Sequence, residues 1–427
     1  MLVLHTASRA RKRRRPARIG LAVAGGGPIG GMYELGALRA LEQAVEGLDL
    51  RALDVYVGIS AGALLAAGLA NRIGTAELCR IFISGDSDQA RFRPDDFLRP
   101  AYAEYLRRAA ALPRALFGWF GDVARHPFTL DTSDAWLRFG SLLPTGLFDN
   151  GAIRRFLAEL FRSHGRSDDF RTLGRRLYVI ATDLDSGEAV RFGAPGRDEV
   201  PISLAIEASA ALPGLYPPVR IDGRHYVDGA LRHTLHASVA LEAGADLVLG
   251  VNPLVPIDTA RAQASGKRAP SSLLDGGLPA VLSQTFRALL QSRARAGASR
   301  YPQRYAHADV ALFEPSPDDV EMFFTNVFSF ARRRRVAEHA YRSTLDDLRA
   351  RREEIGALLA RHGLRLREEI LDAPPRSLLD EVRQPTGRTR TTRRLDGVLD
   401  ELRDRLSSRS ARARPAPRPR RRAAAKT

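Results

Sequence analysis

Short apolar runs alternate with longer amphipathic stretches through the first 250 residues. Arg18–Ala24, Leu53–Val57, Leu177–Thr182, Val190–Phe192 and Leu247–Val251 are apolar and bounded by turn residues, which predicts buried strands. Between them, Tyr33–Val45 sets Leu35, Leu38 and Leu41 on one side of a helix. Ala61–Ala70 predicts a second helix whose small residues allow close packing. Strands alternating with helices predict an α/β fold with a mainly parallel sheet.

The pattern changes between Ile73 and Leu147. Proline and the aromatics Phe117, Trp119, Phe120 and Phe128 predict an irregular, partly helical insertion. Those rings suit either an acyl-chain pocket or lid, or an ordinary satellite core. Ala260–Ser272 reads as a polar loop, and Leu278–Arg293 and Ala337–Leu366 read as helices. Beyond Asp372 the composition turns to Pro, Arg and Ser, which predicts a disordered tail.

Charge adds a second layer. The net charge is +17, yet residues 1–18 hold seven basic residues and no acid, and residues 405–427 hold nine and no acid. These two ends account for sixteen of the seventeen net charges, so the body between them is almost neutral. That argues against a basic nucleic-acid-binding domain and leaves only the ends to meet an anionic membrane surface. The arginine bias is strong, with three lysines in the whole chain (Lys12, Lys267 and Lys426), and reads as compositional background. Cys79 is the single cysteine, so no intramolecular disulfide is possible. The longest uncharged apolar stretch, Val55–Ala70, is shorter than the roughly 20 residues of a membrane helix. No secretory signal is visible, which predicts a cytoplasmic protein with peripheral membrane contact, or one secreted by a signal-less route.

Three motifs carry candidate chemistry. Gly25-Gly26-Gly27-Pro28-Ile29-Gly30 follows a strand and opens a helix, in the G-x-G-x-x-G pattern of a dinucleotide site. Such a site needs an acid at the end of the second strand. Here that strand runs into Gly58-Ile59-Ser60, and Glu46 and Asp49 precede it, which argues against a nucleotide. Bare N–H groups at a helix start also suit a transient oxyanion. Gly58-Ile59-Ser60-Ala61-Gly62 is a G-x-S-x-G between strand and helix, hence a nucleophile elbow or a serine capping Ala61–Ala70. Asp228-Gly229-Ala230 follows Asp222-Gly223 closely, and both Asp-Gly pairs fit hairpin turns. A nucleophilic serine needs a base. His225, His233, His236, His307 and His339 follow Ser60 in the chain without a telling context, and a carboxylate is the other choice.

In this order, the glycine loop, G-x-S-x-G and D-G-A resemble the patatin-like phospholipase family. Leu177–Phe192, Glu207–Leu231 and Ala245–Pro256 resemble family segments too, so the likeness runs from about Arg18 to Leu345. It implies a three-layer α/β/α sandwich and a serine carboxylic ester hydrolase acting on lipid or phospholipid. Ser60 would be the nucleophile and Asp228 the general base, with no histidine between them. Gly25, Gly26, Gly27, Pro28, Ile29 and Gly30 would form the oxyanion loop, Gly58 and Gly62 the elbow, and Gly229 and Ala230 would follow the base. Ser209–Gly214 would shape the floor of the site. Neither metal nor other cofactor is implied. The family loop usually has Arg or Lys two residues after its third glycine, where this chain has Ile29.

The implied organisation is a basic disordered tail (1–17), a hydrolase domain (18–345) with a helical insertion or lid (73–147), a helical extension (346–371) and a disordered tail (372–427). Two rival readings remain: a Ser-His-Asp esterase acting on a neutral ester, and a catalytically weak patatin-fold lipid-binding protein. Oligomeric state is not legible.

Overall fold

Apolar strands buried on both faces need helices on both faces, and the chain supplies them. The structure, a computed structural model, describes residues 1–7, 15–125, 140, 142–232, 235–267, 270, 272–324, 330–374, 376–380 and 382. Nine strands form one sheet: β1 (Leu2–His5), β2 (Ile19–Val23), β3 (Val55–Ile59), β4 (Arg176–Asp183), β5 (Ala189–Phe192), β6 (Val219–Ile221), β7 (Arg224–Asp228), β8 (Leu247–Val251) and β9 (Asp309–Phe313). Their spatial order is β1-β9-β8-β2-β3-β4-β7-β6, with β5 also on β4. The centre, β9-β8-β2-β3-β4, is parallel, and β1, β5 and β7 join it antiparallel.

Side-chain alternation divides the core in two. Leu21, Val23, Tyr56, Leu247, Leu249 and Val251 pack on one face. Ala22, Val55, Val57, Ile59 and Val248 pack on the other. The first face is covered by α1 (Gly27–Ala44), α2 (Ala61–Ala70), α4 (Gly151–Arg162), α5 (Ile202–Ser209) and α8 (Arg333–Ala350). The second face is covered by α6 (Ala237–Glu242) and by the segment carrying Tyr301 and Tyr305. In the numbering used here α3 is Tyr102–Arg125 and α7 is Gly277–Ala298. This is the expected three-layer α/β/α arrangement around a mainly parallel sheet.

Several expectations are corrected. The N-terminal segment is not tail throughout: Leu2–His5 pairs with Val310–Phe313, and Leu2 is buried. The basic run at 8–14 lies outside the described residues. The stretch read as one helix from Ala337 to Leu366 is two helices, Arg333–Ala350 and Arg352–Ala360, separated at Arg351 (φ −121°, ψ 33°). Chain expected to be tail from residue 372 still packs on the core, where Leu378, Leu379 and Val382 are buried. Met1–Val382 makes one compact unit, and residues 383–427 lie outside the described residues.

β2 is where the parallel strand order reverses, because the chain moves to β3 on one side and later to β8 on the other. Crevices for ligands open at the carboxyl ends of such strands. The glycine loop follows β2 and the G-x-S-x-G follows β3, so both motifs stand at that crevice.

Candidate active site

Ser60 sits between the last residue of β3 and the first of α2, with φ 52° and ψ −124°. A non-glycine residue in that region is strained, by about 1–3 kcal/mol. Its side chain caps no helix N–H, which removes the reading of Ser60 as an ordinary capping serine. The flanking glycines explain the tight bend. A Cβ on Gly62 would lie 2.2 Å from the Ala24 carbonyl oxygen, and one on Gly58 would lie 2.4 Å from Ala63 Cα. Gly62 therefore lets the elbow press against the end of β2, just ahead of the glycine loop.

The two Asp-Gly pairs differ. Asp222 (φ 49°) and Gly223 (φ 82°) both take left-handed backbone, which is the hairpin turn between β6 and β7. Asp228 (φ −51°) instead ends β7 and opens a short 3₁₀ turn. Its side chain accepts a hydrogen bond from the Ala230 N–H at 2.9 Å. A Cβ on Gly229 would lie 2.3 Å from the Ile180 carbonyl oxygen, so this turn can hug β4 only with glycine there.

Sheet register brings Ser60 and Asp228 together. Ile59 is opposite Ile180 on β4, and Asp228 is opposite Ala181. Because β5 occupies the other edge of β4 over Val179–Thr182, β3 and β7 meet the same edge of β4 end to end, which sets Ser60 beside the Asp228 turn. The Ser60 hydroxyl lies close enough to favour the Asp228 carboxylate. Both residues are buried and line one cavity of about 260 Å³. Burial dominates the electrostatics and pushes the Asp228 pKa up to about 6, while the Ala230 N–H and the Ser60 hydroxyl pull it down. A carboxyl tuned in this way is a far better base near neutrality than an exposed one.

The glycine loop opens the 18-residue helix α1, with Gly26 as its N-cap. Gly26, Gly27 and Pro28 line the cavity beside Ser60. Gly25 lies behind them, where an added Cβ would be 3.2 Å from Ser60 Cβ and 3.3 Å from Ala230 Cβ. The Gly30 N–H donates to the Gly26 carbonyl at 3.0 Å, so Gly30 is not an oxyanion donor here. Pro28 has no N–H to give. Ile29 is 2% exposed and fills the core beneath the loop, so a side chain at this position does not face the cavity. That leaves Gly26 and Gly27, at the positive end of α1, as the loop's candidate donors among the residues lining the cavity.

Ser209, which residue type alone does not single out, makes two buried hydrogen bonds at the elbow. The Ser60 N–H donates to Ser209 Oγ at 2.8 Å, and Ser209 Oγ donates to the Ile180 carbonyl at 2.5 Å. Two residues on, the Ala211 carbonyl accepts from the Asp228 N–H at 3.0 Å. The segment at the end of α5 therefore holds both site residues.

Most of the cavity wall is apolar. Phe82, Phe92 and Phe97 line it, and Phe92 packs edge-on against Phe82 at 5.0 Å. The aromatics expected to line a pocket do not include these. Phe117 is 79% exposed on α3, Phe128 lies outside the described residues, and no description covers the Trp119 and Phe120 side chains. No described histidine lines the cavity. His225 is exposed and lies 3.6 Å from Asp185, His339 pairs with Asp319 at 2.7 Å, and His233 lies outside the described residues.

Three solved structures are similar in part. VipD from Legionella pneumophila is 15% identical with a TM-score of 0.33, over 79% of this chain and 67% of that one. Human GIVD cytosolic phospholipase A2, in complex with methyl gamma-linolenyl fluorophosphonate, is 15% identical with a TM-score of 0.30, over 79% and 58%. Full-length ExoU from the type III secretion system of Pseudomonas aeruginosa, in complex with SpcU, is 16% identical with a TM-score of 0.24, over 70% and 54%. This chain thus spans little more than half the length of the last two. The family assignment rests on sequence: residues 21–241, more than half of the chain, match the family described as Patatin-like phospholipase. That match spans the glycine loop, the serine elbow and the Asp-Gly-Ala turn, and the chain belongs to the patatin-like phospholipase family.

Proposed function

We propose that this protein is a lipid acyl hydrolase of the phospholipase A or lysophospholipase type, working through Ser60 and Asp228. Ser60 Oγ attacks the ester carbonyl carbon while the Asp228 carboxylate takes its proton. The carbonyl oxygen becomes an oxyanion against the Gly26 and Gly27 N–H groups. The intermediate collapses, the C–O bond to the alcohol breaks, and the alkoxide takes the proton from Asp228. Water then attacks the acyl-Ser60 ester and gives its proton to Asp228. Release of the fatty acid returns that proton to Ser60. Each oxyanion donor is worth about 10²–10³ in rate.

The observation that carries this reading is the pairing of an uncapped serine at positive φ with a buried carboxyl whose pKa is about 6, in one apolar cavity. The absence of a histidine from the described lining weighs against the Ser-His-Asp rival. Among the described residues no helix is long and apolar enough to cross a membrane, and a lipid substrate would be met at a lipid surface. The basic ends would favour an anionic one. The test is fatty acid release from a phospholipid, a lysophospholipid, a triacylglycerol and a short acyl ester, with S60A as blank. Release that S60A abolishes is expected; wild type no better than S60A would leave the lipid-binding rival.

A further inference from the structure

The cavity has two kinds of wall. Phe82, Phe92 and Phe97 form an apolar one. On another stands Arg287 of α7, and among the described lining residues Arg287 and Asp228 are the only charged side chains. Arg287 is 4% exposed. Its Nη1 donates to the carbonyls of Pro253 (3.4 Å) and Val255 (3.2 Å), and its guanidinium lies 5.4 Å from the centre of the Phe323 ring. Among the described residues no carboxylate lies within 4.0 Å of it, and Nε and Nη2 have no hydrogen-bond partner. Burial lowers its pKa to about 10, with Asp319 opposing at longer range, so it stays charged at neutral pH.

The position is close to the chemistry. Pro253 packs on the glycine loop: a Cβ on Gly26 would lie 2.5 Å from Pro253 Cγ. Arg287 holds the carbonyl of that same proline. The loop itself, Gly25–Gly31, carries no charged side chain. A buried cation whose described contacts are carbonyls and a ring is costly unless an anion completes it. Its planar fork with free N–H groups matches the paired oxygens of a phosphate.

We propose that Arg287 is a specificity-determining residue that binds the phosphodiester of a glycerophospholipid whose acyl ester lies at Ser60. The proposal rests on the Ser60–Asp228 reading and narrows its substrate from esters of lipids to those bearing a phosphate.

The test is a matched pair of substrates, 1-palmitoyl-glycero-3-phosphocholine and 1-palmitoylglycerol, which share the acyl chain and the ester. Wild type is expected to prefer the first. In R287M the ratio of kcat/KM for the two falls ~10- to 100-fold, mainly through KM, the scale of one lost hydrogen bond to a charged group. R287K, which keeps the charge and loses the fork, falls between. Equal losses on both lipids would make Arg287 a positioning residue for the Pro253 segment and overturn the proposal. Competition in wild type stands even if R287M fails to fold. Glycerophosphocholine is expected to inhibit hydrolysis of 1-palmitoylglycerol competitively. Inhibition by inorganic phosphate alone would mark a free-phosphate site and overturn the head-group assignment. Wild type that hydrolyses both lipids equally well sinks this proposal only; wild type that hydrolyses neither, with Ser60 unreactive to a fluorophosphonate, sinks the hydrolase reading beneath it.

Discussion

The backbone N–H of Ser60 is held by the hydroxyl of Ser209, 149 positions away in the chain, at 2.8 Å. That bond ties a strained residue to the end of α5, and the same segment accepts the Asp228 N–H through Ala211. Ser209→Ala removes the acceptor and leaves two buried groups, the Ser60 N–H and the Ile180 carbonyl, without a partner. Stability is expected to fall by about 1–3 kcal/mol. If Ser209 positions the nucleophile, kcat falls ~10- to 100-fold with KM unchanged, the mark of an interaction that matters in the transition state. A variant with lower thermal stability but full kcat would make Ser209 structural only.

Burial of the Asp228 carboxyl works against stability at neutral pH. Its pKa is raised by burial to about 6, above the ordinary 3.8. Its favourable contribution is therefore complete below pH 3.8 and is lost as pH rises through 6. Asp228→Asn should stabilise the fold at pH 7–8, by up to about 3 kcal/mol from the pKa difference, while abolishing most activity. The gain in melting temperature should shrink towards pH 4. Chemical denaturation of both proteins at pH 4 and pH 8 checks this; an unchanged or lower stability of D228N at pH 8 would contradict it.

The N-terminal strand makes a separate point about the basic ends. Deleting residues 1–17 removes β1 along with the charges. Loss of the Leu2 burial and its ladder should cost about 2 kcal/mol or more. Replacing Arg11, Lys12, Arg13, Arg14 and Arg15 with Gln should change stability by no more than about 0.5 kcal/mol. Urea unfolding midpoints separate the two outcomes. If the basic ends hold the enzyme at a membrane, the Gln variant lacking 405–427 should bind anionic liposomes more weakly at low salt than wild type. Unchanged binding would make those ends bystanders.

What the sequence reveals here is local. The glycine loop, the elbow and the Asp-Gly-Ala turn are legible because their residue types are demanded by a bend, a missing Cβ or a helix start within a few positions. The parallel centre is legible because β2, β3 and β8 are apolar runs. Leu2–His5 is not, because four residues make a strand only when β9 offers them an edge. Ser209 and Arg287 are ordinary helix residues until folding sets them beside Ser60 and Pro253. The aromatic run at Phe117 suits a pocket by composition, but amphipathic α3 leaves that ring exposed, while Phe82, Phe92 and Phe97 turn inward.

The central claim is that a carboxylate, with no histidine, deprotonates Ser60. The rate of Ser60 acylation by a chromogenic palmitoyl ester, followed in a single turnover from pH 4.5 to 8.5, tests it most directly. The account predicts an acid limb near pH 6, set by Asp228. It predicts that Asp228→Asn loses at least about 10³-fold of that rate, within the reach of lost general base catalysis. His225→Ala, His233→Ala, His236→Ala and His339→Ala should keep both the rate and the limb. Acylation that survives in D228N and disappears in one of the histidine variants would contradict the account.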